Sequence, residues 1–152
     1  MPTVYDVKAE ALIEKLAHYM KKNVSAVTPP SWVKFAKTGS DRERPPENVD
    51  WWYTRAASIL RKIYIDGPIG ISKLRLAYGG RTGQRSGPEH FHRGSGTVVR
   101  KIVHQLETAG LVKQATARGR VVTKEGQDLL DSLSSEVKQA LEKKIPELKK
   151  YE

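Results

Sequence analysis

Apolar side chains recur at helical spacing in four separate stretches of the 152-residue chain, and that period commits it to a mainly α fold. In residues 9–27, Ile13, Ala17, Met20, Val24 and Val27 fall on one stripe, with Leu12 and Leu16 beside it. Residues 51–65 carry Trp52, Ala56, Ile59, Leu60 and Ile63 along one broad side and Arg55, Ser58, Arg61 and Lys62 on the other, with Asp50 read as the N-cap. Residues 97–109 turn Val98, Val99, Ile102, Val103 and Leu106 inward and Thr97, Arg100, Lys101 and His104 outward, and Gly110 stops them. A last helix follows Thr123 as N-cap, striped by Leu129, Leu130, Leu133, Val137, Ala140 and Leu141 before Pro146. Trp52, Ile59, Ile63, Val99, Ile102 and Leu106 form the predicted centre of the core.

Shorter elements complete the string. Thr28-Pro29-Pro30 ends the first helix, and residues 30–35 suit a short second one closed by Gly39. Residues 40–48, containing DRERPPEN, read as a polar loop, and residues 71–78 as a short helix stopped by Gly79-Gly80. Residues 111–113 and 120–123 are β-prone and joined by the flexible QATARG, which predicts a hairpin. Three helices followed by a two-stranded hairpin is the order of a winged helix-turn-helix. The expected architecture is therefore one domain over 1–152: a winged-helix core at 50–123, an N-terminal helical extension at 1–48, and a C-terminal helix at 123–152 packed on the core.

Charge is distributed unevenly. The chain holds 27 Lys plus Arg against 17 Asp plus Glu, a formal +10. Residues 54–120 hold 13 basic and 3 acidic side chains, so the middle carries the whole excess while both ends are nearly neutral. Cations concentrated on one folded region suit a polyanion, because they displace counterions from a phosphate backbone. Cysteine is absent, which excludes disulfide scaffolds, thiol nucleophiles and cysteine-ligated zinc and suits a reducing cytosol. No apolar run approaches the roughly eighteen residues of a membrane span, and MPTVYDVKAEALIEKL lacks the features of a signal peptide, so a soluble intracellular protein is expected.

The connection before the third long helix, GGRTGQRSGPEHFHRGSG over 79–96, sharpens the choice of polyanion. It holds six glycines with Arg81, Arg85 and Arg93, where a DNA-reading helix-turn-helix has a turn of about three or four residues. Glycine allows close backbone approach and arginine recognises phosphate bidentately, so the segment is predicted to order against an irregular anionic surface when RNA binds. Folded RNA offers such a surface through shape, phosphates and 2′-hydroxyls. The predicted RNA contacts are Arg55, Arg61, Lys62, Arg81, Arg85, Arg93, Arg100 and Lys101. Trp52 shares the stripe of Ile59 and Ile63 and reads as core, whereas Trp51 reads equally as core or as an exposed ring able to stack on a base.

Catalytic and metal signatures are missing from the sequence. It contains no GxSxG elbow, Walker A loop, HExxH or Rossmann fingerprint. His90 and His92, with His104, lack the fixed ligand spacing of zinc sites, and only Asp66, Glu89 and Glu107 supply carboxylates between 54 and 120. A binding protein with no cofactor and no metal is the reading, with a dimeric winged-helix DNA-binding regulator as the alternative.

The order and wording of the motifs carry a resemblance as well. DWWYTRAASILRKIYIDGPIG (50–70), YGGRTGQRSGPEHFHRGSG (78–96), RKIVHQLETAGLV (100–112) and GRVVTKEGQDLLD (119–131) closely resemble the archaeal and eukaryotic small-subunit ribosomal protein family S-nineteen-e, as do TVYDV (3–7) and PPSWVKFAKTG (29–39). The short loops resemble archaeal members. The resemblance implies a winged-helix-like fold in the head of the small ribosomal subunit, contacts with ribosomal RNA and neighbouring ribosomal proteins, and a part in subunit assembly and pre-rRNA maturation in the cytoplasm. It maps RNA association onto Arg55, Arg61, Arg100 and Lys101 and a structural role onto Trp52. Thr97-Val98-Val99 departs from the family pattern at the start of its helix. The isolated protein is expected to be a monomer.

Overall fold

A computed structural model describes residues 2–83, 86–115 and 117–151. Five α-helices are present among them: α1 (Ala9–Asn23), α2 (Trp51–Asp66), α3 (Ile71–Ala77), α4 (Gly96–Thr108) and α5 (Lys124–Lys144). Two antiparallel hairpins complete the regular structure, β1 (Gly80–Thr82) with β2 (His90–His92) and β3 (Val112–Ala115) with β4 (Gly119–Val122). The fold is mainly α and winged-helix-like: α2, α3 and α4 precede the β3–β4 wing, α1 precedes them, and α5 packs against α1 and the wing.

Helix α2 holds the core together because its apolar side faces three partners at once. Trp52, Ile59, Ile63, Val99, Ile102 and Leu106 are each no more than 1% exposed, where α2 meets α4. Burying the indole N–H of Trp52 demands an acceptor, and Gln105 of α4 supplies one: Nε1 donates to Oε1 at 2.9 Å. Gln105 Nε2 then donates to the Thr28 carbonyl at 2.7 Å, so one buried amide links α2, α4 and the N-terminal segment. Trp32 and Trp51 pack edge-on against Trp52, with ring centroids 5.7 and 5.5 Å away.

The wing is tied down at both ends. Its register runs from Val112 opposite Val122 to Ala115 opposite Gly119. Ile69, in the turn between α2 and α3, exchanges two backbone bonds with Arg120, at 3.1 and 2.9 Å, and so extends the sheet. Gly110 takes φ +77 after α4, the left-handed position at which a glycine stops a helix. The Thr123 hydroxyl donates to the Gly110 carbonyl at 2.6 Å and accepts from Gly126 N at 3.3 Å, capping α5 as its position in the sequence predicts.

Five expectations change. Helix α1 ends at Asn23, since Val24 is extended, and its fully buried line is Leu12, Leu16 and Met20. Ile13 and Ala17 are only half-buried, because α1 lies against both α2 and α5 and two adjacent lines share the contact. Residues 31–34 form a 3-10 turn that leaves Phe35 84% exposed. Asp50 begins α2 without a side-chain cap, because its carboxylate takes Lys21 Nζ at 2.8 Å. The segment expected as a loop at 79–96 contains the β1–β2 hairpin, with Arg81 opposite Phe91.

Substituting Gln105→Leu strands the Trp52 N–H in the core and should cost about 1–3 kcal/mol; Trp52→Ala should cost about 3–5 kcal/mol. Both are read from urea midpoints. Tyr64 Oη donates to Asp131 Oδ1 at 2.9 Å, tying α2 to α5. Burial first, then that bond and the Asp131 charge, push the phenol from 10.0 up to about 12. The folded state therefore keeps a proton that the unfolded state loses, so this contribution is complete below pH 10 and fades as pH rises towards 12. Tyr64→Phe should flatten that alkaline loss of stability in denaturation curves taken across the same interval.

Candidate nucleic-acid interface

Helical spacing builds the first part of the site. Arg55, Ser58 and Lys62 stand three and four residues apart and share one line of α2. That line meets Tyr78, the residue ending α3. Ser58 Oγ and Tyr78 Oη lie 2.6 Å apart, the Arg55 guanidinium carbon is 4.2 Å from the ring centroid, and Lys62 Nζ is 5.7 Å from it. Two cations thus share one aromatic ring. Burial lowers the pKa of Arg55, and nearby Arg42 pushes the same way while Tyr78 opposes them. Burial raises the Tyr78 phenol against the opposing pull of the Ser58 bond, Arg55 and Arg61. Arg61 Nε is buried with no hydrogen-bond acceptor among the described residues.

Helix α4 supplies the second part. Ser95 caps it, accepting from Val98 N at 3.4 Å. The inward side chains leave Thr97, Arg100, Lys101 and His104 exposed around a shallow depression of about 400 Å³. Arg100 Nε donates to the Gly96 carbonyl at 3.1 Å, which fixes the guanidinium near the helix start.

The β1–β2 hairpin joins the two parts. Its return leg bonds to α3 through Gly94 N to Arg75 O at 2.9 Å, and to the N-terminal segment through Ser95 N to Thr38 O at 2.8 Å. Gly94 packs on Tyr78 so closely that a Cβ there would lie 3.0 Å from the Tyr78 carbonyl oxygen. Gly94, two residues before α4, therefore touches the backbone of the residue whose ring carries Arg55 and Lys62. Arg81 and the 51%-exposed Phe91 face each other across the strands, with His90 opposite Thr82 and His92 opposite Gly80. Arg93 lines a separate concavity with Lys37 and Arg75. Arg85 lies outside the described residues.

Among the described residues, no carboxylate comes within ion-pair distance of Arg55, Arg61, Lys62, Arg81, Arg93, Arg100 or Lys101. The ion pairs lie elsewhere, as in Lys15 with Glu136 and Arg120 with Glu107. Nor does any group of three or more His, Asp or Glu come together among those residues in a way that could hold a metal. Cations without a paired carboxylate suit a polyanion.

Trp51 resolves as core: it is 8% exposed and packed on Trp52, so it offers no free face for a base. Sequence reasoning missed Tyr78, Arg75, Lys37 and Phe91. Arg75 and Lys37 become neighbours only when the hairpin folds back, and no local period announces that. Phe91 was visible as an aromatic between two histidines in a basic segment.

The family model for ribosomal protein S19e matches residues 3–140. The chain is 48% identical over 152 residues to the small ribosomal subunit protein eS19 of Aeropyrum pernix, with 99% of each chain covered. It is 43% identical over 155 residues to the protein of that name from Haloarcula marismortui, again with 99% of each covered. Identity to eS19G of Ascaris suum is 38% over 138 residues, covering 90% of this chain and 93% of the other. A match that runs nearly end to end and includes both the α2 block and the glycine-rich hairpin places the chain in the ribosomal protein S19e family.

Proposed function

We propose that the chain is a structural constituent of the small ribosomal subunit in the cytoplasm. It holds small-subunit ribosomal RNA in the subunit head, beside neighbouring ribosomal proteins, and assists assembly and pre-rRNA maturation without catalysing a reaction. The observation that carries this reading is the gathering of unpaired cations around Tyr78 and along α4. Its relatives bear the name of a small-subunit protein, in agreement.

Arg55, Arg61 and Lys62 meet sugar and phosphate on the α2 side, Arg100 and Lys101 on the α4 side, and Arg81, Arg85 and Arg93 along the hairpin segment. The hairpin favours RNA over DNA. Inserted between α3 and α4, it adds a second two-stranded ribbon to the fold, and an irregular surface of that kind suits folded RNA better than a straight major groove. The protein acts as a monomer.

Charge removal at Arg61 or Arg100 (Arg61→Gln, Arg100→Gln) should weaken binding to small-subunit ribosomal RNA while leaving the circular dichroism of the helices unchanged. With about eight phosphates neutralised, log affinity should fall with log salt at a slope of roughly −6 to −7 in filter binding. A slope near zero would refute the reading. Tyr78→Leu removes the ring that positions Arg55 and Lys62 and should weaken binding by a few-fold at most. Tyr78→Phe, which keeps the ring, should bind nearly as well as the wild type in the same assay.

A further inference from the structure

We propose that Lys37, Arg75 and Arg93 form a cradle for one backbone phosphate of the RNA, at the base of the β1–β2 hairpin. The proposal rests on the RNA-binding reading above and adds to it a defined subsite with two residues, Lys37 and Arg75, that the charge pattern of the sequence does not single out.

The cradle is a concavity of about 460 Å³ lined by Lys37, Ser40, Arg75, Arg93 and Ser95, with Gly39 and Gly94 as its floor. Backbone pairing builds it. Gly39 bridges Gly94 in antiparallel fashion, and Ser95 N donates to Thr38 O at 2.8 Å, so the segment bearing Lys37 is fastened to the segment bearing Arg93. Arg75 grips the same turn twice: its carbonyl accepts from Gly94 N at 2.9 Å, and its Nε donates to Gly94 O at 2.9 Å. The guanidinium is thereby aimed before any ligand arrives, and among the described residues its terminal nitrogens donate no hydrogen bond to the protein.

Charge crowding shows what is wanted there. Arg75 and Arg100 come together over Gly96: a Cβ there would sit 2.9 Å from Arg100 Nη2 and 3.2 Å from Arg75 Nε. Two guanidinium groups thus flank Gly96, next to the concavity that Arg75 shares with Lys37 and Arg93. No carboxylate lines the concavity. Asp41 lies behind Gly39 with its side chain 4% exposed, Oδ2 3.3 Å from Arg42 Nε and Oδ1 buried without a partner among the described residues, so its carboxylate does not line the concavity. Like charges fixed side by side repel, and an anion between them reverses the sign of that term.

A phosphate fits better than a base. The walls offer guanidinium forks, an ammonium group and hydroxyls, which match phosphate oxygens, and no aromatic face on which a base could stack. Because the concavity is open, water screens it, and a free anion would be held weakly. A phosphate tethered to an RNA already engaged at Tyr78 and α4 arrives at high effective concentration.

The test is phosphate-ethylation interference on full-length small-subunit ribosomal RNA, comparing wild type with K37Q/R93Q. Both side chains are exposed, so the double variant should keep the fold. A second double variant, K149Q/K150Q, makes the same charge change at the C-terminal end. The cradle predicts one phosphate whose ethylation blocks the wild type but not K37Q/R93Q. It also predicts about tenfold weaker binding for that variant and a salt slope shallower by about one, with K149Q/K150Q unaffected. Wild-type binding with the same interference pattern and slope in K37Q/R93Q would overturn the cradle and leave the RNA-binding reading standing. An equal loss in K149Q/K150Q would overturn it as a bulk charge effect. Inorganic phosphate competing beyond chloride at equal ionic strength, with no ethylation interference, would identify a free-anion site and overturn it too. A wild type that fails to bind the RNA would defeat both readings.

Discussion

Positive charge held at close quarters without counter-charge is the constraint around which this molecule is arranged. Two like charges about 6 Å apart repel by roughly 3 kcal/mol at an effective dielectric of about 20, and by less where water screens them. The Tyr78 ring offsets part of this for Arg55 and Lys62, at about 0.5–2 kcal/mol per cation. Backbone carbonyls of Gly94 and Gly96 do the same for Arg75 and Arg100.

That core and the basic face are two sides of the same helix. The phase that turns Trp52, Ile59 and Ile63 inward necessarily turns Arg55, Ser58 and Lys62 towards Tyr78. The buried chain from Trp52 through Gln105 to Thr28 fixes α4 against α2. Once α4 is fixed, Arg100 and Lys101 are aimed by the inward packing of Val99, Ile102 and Leu106. The path from sequence to the outward faces of α2 and α4 therefore runs through helix phase and one satisfied polar contact in the interior.

What the sequence disclosed follows from the same physics. Helix phase is local, so the inward residues of α2 and α4 were readable from spacing alone, as were the Gly110 stop and the Thr123 cap. The β1–β2 hairpin was not, because its strands are three residues each and its glycines signal permissiveness without specifying pairing. The Tyr78 cluster was half legible: the cations stood on one helical line, but the ring beneath them comes from the end of another helix. Arg75 and Lys37 were invisible, since their meeting depends on Gly94 and Ser95 returning to α3 and to Thr38. Trp51 was ambiguous because Trp52 alone satisfies the stripe. Only the tertiary packing of three indoles decides that Trp51 is covered.

The central claim is that the contiguous basic surface around Tyr78, the hairpin and α4 is the face turned to ribosomal RNA. Covalent labelling of lysine and arginine, compared between the free protein and the protein within native small subunits, tests it most directly. The account predicts strong protection at Lys62, Arg100 and Lys101, with Lys124 and Lys143 on α5 still labelled. Protection concentrated on α1 and α5, with the Tyr78 and α4 cations as reactive in the particle as in solution, would contradict it.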